Sequence, residues 1–445
     1  MKPKNKHITI LGGGPAGMAV AFYAHKKGMD YRLFECSDRL GGNCITIERN
    51  GFLFDSGAHR LHDKDAETTN IIKELLGSDL KLIHVPSQIY REGRYIDFPL
   101  SPLNLLRFLG PFRFVHSAFQ ILHAKLKKQE VQDNFKALAL HAYGRNIAEL
   151  FLLHYTEKLW GKTAAELSTE VAGKRLKGLN LKTFILEAIK GKQKKTSHLD
   201  GSFYYPKYGI GAIFEKMQQN LNTESICLDH KVTTIHHKQN KITGVTVNDD
   251  DYFEVQELAC SLPLGVVLNI LNPAPPPEVL QLAKSIQFRD IMLLGFFLDK
   301  ESVNNNGSMY FPSDRYPFTR VYEPRNRSAC MSPKGKTSLM VEIPCPRSEP
   351  IWNQDESALL KEIAQHLIKA NLFREDELLD SCIYRVNNAY PILEKEYLEK
   401  TKPIYGYLSL FQNLHLTGRN GLFAYTHIHD HMVNGRNVVN GLSQK

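Results

Sequence analysis

The string FDSGAHRLH, residues 54–62, sets His59 and His62 three residues apart. Imidazoles so placed can ligate a metal, face a flavin, bind a substrate phosphate or simply meet solvent. A metal site needs further ligands at fitting spacings, and none is evident. The seven cysteines (Cys36, Cys44, Cys227, Cys260, Cys330, Cys345, Cys382) are odd in number and hold no CxxC pair. That pattern argues against a zinc site and against a disulfide framework. Near the other end of the chain stand Arg419 and Tyr425. An arginine fork binds phosphate oxygens bidentately.

The elements that must hold these groups begin at residue 8. ITILGGGPAGMAVAFYAHKKGMDYRLFE reads as strand, glycine turn, helix and strand. Ile8 to Leu11 form a buried β run, and Gly12, Gly14 and Gly17 match GxGxxG around Pro15 and Ala16. Gly12 permits the tight turn, Gly14 lets the backbone approach a pyrophosphate, and Gly17 allows close helix–strand packing. The helix N-terminus adds a positive dipole. Glu35 ends the second strand eighteen residues past Gly17, where a carboxylate meets a ribose diol. This half-domain predicts adenine-dinucleotide binding.

The next segment, ECSDRLGGN, gives E-x3-R-x-GG with Arg39, Gly41, Gly42 and Asn43. It resembles the signature of the flavoproteins that include amine oxidases, protoporphyrinogen oxidases and UDP-galactopyranose mutases. FAD is the implied cofactor, with Arg39 and the second glycine turn along its pyrophosphate and ribityl chain and Gly57 towards the isoalloxazine ring. GAHRLH is similar to the GxHxxH of the mutases, which implies His59 against the flavin and His62 close to the active site. Tyr155 to Gly161, YTEKLWG, resembles a segment shared by the mutases and their protoporphyrinogen-oxidase-like relatives. From chemistry alone that cluster serves equally as a packed helix junction or a binding wall. Lys231-Val232 resembles the strand whose valine contacts the adenine. GRNGLFAY resembles a GRxGxxxY segment, which implies that Gly418 and Arg419 contact the cofactor, that Arg419 also meets substrate phosphates, and that Tyr425 lies nearby. A helix starting near Asp430 would aim backbone donors at the ribityl and pyrophosphate.

The implied fold class is α/β: an FAD-binding Rossmann-like domain of glutathione reductase type, a helical insertion and an antiparallel β-sheet substrate domain. At 445 residues the chain exceeds one core. The expected division is 1–75, 203–264 and 395–445 for the FAD domain, 102–202 for the helical domain, and 76–101 with 265–394 for the substrate domain. Among finer expectations, 82–98 holds two strands around Arg91–Arg94, and His236 and His237 lie on a strand surface. The net charge of +9 concentrates in Arg107–Lys128 and Lys182–Lys195, read as solvated helix faces. No nucleic-acid motif accompanies them, so no such partner is expected. The start MKPKNKHITIL has no apolar signal region, and no apolar run is long enough to span a membrane. A cytoplasmic location is expected.

Two departures bear on substrate. Where bacterial mutases carry a second phosphate-binding arginine, this chain has Leu179, with Arg175 and Lys177 as stand-ins; the acid expected four residues past Tyr425 falls on His429, with Asp430 one later. Two functions stay open. One is mutase-like, acting through reduced FAD on a nucleotide-activated sugar, with Arg419 holding the diphosphate and NAD(P)H a candidate reductant. The other is an FAD-dependent oxidation of an amine, a porphyrinogen or a lipidic substrate, with residues 103–128 as a peripheral membrane contact. A cofactor-binding protein without catalysis is the third reading.

Overall fold

The computed structural model describes residues 7–126, 133–172 and 202–443. Its cofactor half is a five-stranded parallel sheet. Ile8–Leu11 runs at the centre between Tyr31–Phe34 and Glu257–Cys260, with Ile226–Cys227 and Leu414–Leu416 outermost. Strands covered on both faces are apolar throughout, and side chains two apart share a face. Here Ile8 and Ile10 join Met18, Ala19 and Val439 on one side. Leu11 joins Ile235 and Val245 on the other.

The first face is covered by the helices Pro15–Lys26 and Ile428–Ser443. They approach so closely that a Cβ on Gly435 would lie 2.8 Å from Ala19. The opposite face meets a four-stranded sheet that includes Val232–Lys238, Lys241–Val247 and Asp251–Glu254. His236 and His237, expected on its surface, are half-buried instead. His236 bonds the Thr246 hydroxyl at 2.7 Å, and His237 bonds the Pro273 carbonyl at 2.8 Å while packing on Phe411.

Seven strands form the second large sheet, in the order Leu378–Pro391, Phe288–Leu298, Thr337–Pro344, Arg320–Tyr322, Ser308–Tyr310, Ser87–Arg91 and Arg94–Phe98. It is antiparallel except where Ser308–Tyr310 runs parallel to Ser87–Arg91, so the expected antiparallel sheet is mixed at one join. Phe288–Leu298 is buried on both faces. Leu294 and Phe296 pack under the helix Glu356–Lys369, while Leu293 and Phe297 meet Phe52 and Phe54 of the cofactor half. That contact seats the hairpin Thr46–Arg49 and Phe52–Asp55, which leads to Gly57 and His59, on the second sheet.

The expected helical region appears as Pro102–Leu126, Phe135–Ile147 and a π turn running into His154–Trp160. Leu179, Arg175, Lys177 and the basic stretch Lys182–Lys195 lie outside the described residues. Among the described residues no helix is long and apolar enough to cross a membrane.

Candidate active site

The two glycine turns meet at the carboxyl ends of the parallel strands. Gly41 donates to the Gly13 carbonyl at 2.9 Å, and a Cβ on Gly42 would sit 2.9 Å from the Gly14 Cα. Gly17 admits no side chain, since its Cβ would lie 1.9 Å from the Gly12 carbonyl oxygen. A Cβ on Gly14 would meet only the Gly42 Cα, at 3.9 Å, so the space before it is open. Gly14 is also the N-cap of Pro15–Lys26, which has no side-chain cap and no acid in its first turn. An open glycine before an uncapped helix N-terminus is a place for phosphate oxygens. The residues present therefore fit a dinucleotide.

Around this cradle, Glu35 accepts from the Gly13 N–H at 2.6 Å and from the Ser37 hydroxyl at 2.8 Å. Arg39 donates to the Gly42 carbonyl at 3.1 Å, and Val232 heads its strand half-buried.

His59 folds back over Gly57. Its Nε2 lies 2.9 Å from the Asn43 carbonyl and must carry the proton there, which leaves Nδ1 facing the Cys44 sulfur at 4.0 Å. The ring keeps a sliver of exposed surface but is packed round by protein. Burial, then the charge of Arg419 nearby, pushes its pKa down to about 3. His62 turns elsewhere, edge-on to Phe203 at 6.3 Å, in a shallow pocket with His84 and Ser202.

Arg419 lies beside a pair of rings, 5.4 Å from the centre of Tyr390 and 5.1 Å from that of Tyr425, which are 5.4 Å from each other. Its Nε and Nη2 donate to the Thr426 carbonyl and its Nη1 to the Ala389 carbonyl, so each guanidinium nitrogen makes one backbone bond, to the turn that follows and to the end of the strand Leu378–Pro391. Tyr425 also meets Trp160 at 5.7 Å. Asp430 stands at the start of the last helix, where it accepts from the His427 N–H at 2.8 Å and pairs with His429 at 3.1 Å. Against the effect of burial, these bonds hold its carboxyl well below the ordinary range. The structure thus gathers His59, Arg419 and Tyr425, and sets His62 against Phe203.

Sequence reasoning missed Arg320 and Glu342. Glu342 takes two hydrogen bonds from Arg320, at 2.7 and 2.8 Å, and a third from the Ala58 N–H at 3.0 Å, one residue from His59. Burial works against the charge on Arg320, yet Glu342 holds its pKa well above the ordinary value. The signal was present: Glu342 is the one charged residue in the fully buried strand TSLMVEIP.

The YTEKLWG segment is packed as a helix junction. The Lys158 ammonium reaches the carbonyls of Phe311, Ser313, Tyr316 and Phe318 at 2.6–3.0 Å. Burial pulls its pKa down to about 7, while four carbonyl dipoles favour the protonated form. Tyr155 packs edge-on to Tyr310 at 5.7 Å, and Trp160 faces Tyr390 and Tyr425.

His427 and His431 share the fate of His59, each held down to about 3 by burial first. Groups neutral in the fold but titrating near 6.5 when unfolded make the unfolded state bind more protons between those values. Stability therefore rises with pH across that window. We expect melting temperature to fall steadily as pH drops from 6.5 towards 3, with proton uptake on unfolding. A His59→Asn variant should show a shallower slope, and an equal slope would remove His59 from this account.

A parallel nucleotide-binding sheet, two touching glycine turns and a second sheet over the same edge define a dinucleotide-dependent flavoenzyme. Residues 15–422 match the family of flavin containing amine oxidoreductases. The chain belongs to that family and is an FAD-dependent enzyme. It is 20% identical to the coproporphyrinogen III oxidase of Bacillus subtilis, over 94% of both chains. Among solved structures it is similar to a reduced UDP-galactopyranose mutase, with TM-score 0.86 and 19% identity over 99% of this chain and 96% of that one. A protein of Exiguobacterium sp. 255-15, provisionally assigned as a protoporphyrinogen oxidase, follows with TM-score 0.79 and 16% identity over 99% of each chain. At such identities the likeness is one of fold.

Proposed function

We propose that the enzyme acts on a nucleotide-activated sugar without net oxidation, in the cytoplasm. The observation that carries this reading is the ground beside His59, where Arg320 and Arg419 stand among Tyr155, Tyr310, Tyr390 and Tyr425. Guanidinium forks suit a diphosphate, and tyrosines combine apolar faces with hydroxyls suited to a sugar. Reduced FAD would supply the nucleophile for the anomeric carbon, with NAD(P)H as the reductant. Arg419 and Arg320 hold the leaving diphosphate, while Tyr390, Tyr425 and Trp160 shield the sugar from water. His59, neutral and tied to the Asn43 carbonyl, orients the Gly57–His59 turn rather than moving a proton.

A second reading, oxidation of a porphyrinogen or other reduced substrate, is favoured by the full-length similarity to a coproporphyrinogen III oxidase. Anaerobic titration of the holoprotein with UDP and TDP, followed by flavin absorbance, separates the two. The mutase reading expects tighter binding to the dithionite-reduced form, weakened at least about 10-fold by Arg419→Ala, the loss of roughly one charged hydrogen bond. No spectral change in either oxidation state would reject it and turn attention to oxygen consumption with porphyrinogens, amines and lipids. Unchanged affinity in the Arg419→Ala protein would remove the role given to that side chain.

A further inference from the structure

The helix Pro102–Leu126 carries an apolar face that no other described residue covers. It kinks at Gly110, whose φ is 72°, and resumes at Pro111. Beyond the kink its inner face is Phe114, Ser117 and Ile121, with Phe114 and Ile121 packed in the cluster that holds Ile147, Leu150 and Phe151. The outer face presents Phe112, Val115, Phe119, Leu122 and Leu126, spaced by three and four residues, so that they fall on one side of the helix. Their exposures are 91, 66, 67, 48 and 74%. Leu103 and Leu106 continue the exposed apolar surface before the kink. Single exposed apolar side chains are ordinary, but five in register form a docking patch.

Charge identifies what the patch meets. Residues 102–128 contain no Asp or Glu, while Arg107, Arg113, Lys125, Lys127 and Lys128 lie within them. Arg113 reaches Glu92 at 3.3 Å across an exposed surface, and Arg107 is exposed. A stripe of phenylalanine, valine and leucine on a basic segment that carries no acid of its own, with Glu92 already paired to Arg113, suits a surface that is apolar below and anionic at its rim. We propose that this helix lies flat on an anionic membrane, its apolar stripe among the acyl chains and its arginines beside the headgroups. The inference is independent of which substrate the flavin site takes.

The test is co-sedimentation of the FAD-loaded full chain with large unilamellar vesicles, one set of phosphatidylcholine and one of phosphatidylcholine mixed with phosphatidylglycerol. Binding to the mixed vesicles that fades at high salt is expected. A Phe112→Ser/Phe119→Ser protein should bind at least about 10-fold more weakly, since two buried aromatics are lost from the contact, with its flavin spectrum and melting temperature unchanged. Wild-type protein left in the supernatant, or a double variant that binds as well as wild type, would overturn the proposal. Equal binding to the neutral vesicles would overturn the anionic assignment. A double variant that melts earlier, or that turns a dimer into a monomer, with no vesicle binding by either protein, would show the stripe packed against protein instead.

Discussion

A Gly14→Glu protein is expected to purify without its yellow flavin. The position is informative because the side chain's bulk and its charge separate there. A Cβ on Gly14 meets only the Gly42 Cα, at 3.9 Å, so Gly14→Ala adds no severe clash within the fold. The carboxylate introduced by Gly14→Glu would instead extend into the space before an uncapped helix N-terminus. It would take the place of the phosphates and repel any that remained. A like-charge pair at about 4 Å in surroundings of effective dielectric about 20 costs roughly 4 kcal/mol, which is about a thousandfold in FAD affinity. The expected results are a colourless protein for glutamate, a yellow one with modestly weaker FAD for alanine, and similar melting of both apoproteins. Yellow Gly14→Glu protein at full occupancy would refute the assignment of the cradle. Gly17→Ala is a contrasting control, because its Cβ collides with the Gly12 carbonyl at 1.9 Å and damages the fold itself.

The cofactor half was legible because its signals are local. Strand, turn, helix and terminal acid follow one another within residues 8–35, and the glycines meet local demands: a positive φ at Gly12, open space before Gly14 and the Gly12 carbonyl against Gly17. Although the expected pair of strands over 82–98 is a hairpin of Ser87–Arg91 and Arg94–Phe98, with residues 82–84 in a separate strand paired to Ser202–Pro206, the turn at Arg91–Arg94 was legible for the same reason, since turn chemistry is written in contiguous sequence. The parallel join between Ser308–Tyr310 and Ser87–Arg91 was not, since a pairing across more than two hundred residues leaves no periodic trace. His236 and His237 looked like surface residues from strand alternation, but their neighbours come from the distant Thr246, Pro273 and Phe411. His62 likewise carries a motif position, while its ring neighbour Phe203 arrives from a strand far along the chain. The site followed this rule too. Motifs pointed to His59, Arg419 and Tyr425, whereas the Arg320–Glu342 pair is made by two neighbouring strands, and the lone acid in TSLMVEIP marks Glu342 without naming its partner.

That pair yields the other large expected effect. Glu342 is 2% exposed, and its oxygens serve both Nε and Nη2 of Arg320 and the N–H of Ala58. Glu342→Ala would leave a buried guanidinium without its counter-ion and a backbone donor without an acceptor. Breaking one side of a buried pair costs about 3–5 kcal/mol, and we expect a loss of that size in urea unfolding, with weaker FAD retention because Ala58 belongs to the Gly57–His59 turn. Glu342→Gln keeps an oxygen for Ala58 and should lose less. A loss below about 1 kcal/mol for the alanine variant would show that the pair does not hold the turn. The double variant Arg320→Met/Glu342→Leu separates structure from function. Replacing both partners of a buried pair by apolar groups of similar volume is often close to neutral for stability, so the double variant should unfold nearer to wild type than Glu342→Ala does. Its affinity for UDP in the reduced state should remain as low as that of an Arg320→Met single variant, because the charge proposed to hold the diphosphate is absent from both. Recovery of stability with no recovery of affinity would assign Glu342 to positioning and Arg320 to binding. Recovery of both would mean that the anion is held elsewhere, and the mutase reading would lose the observation that carries it.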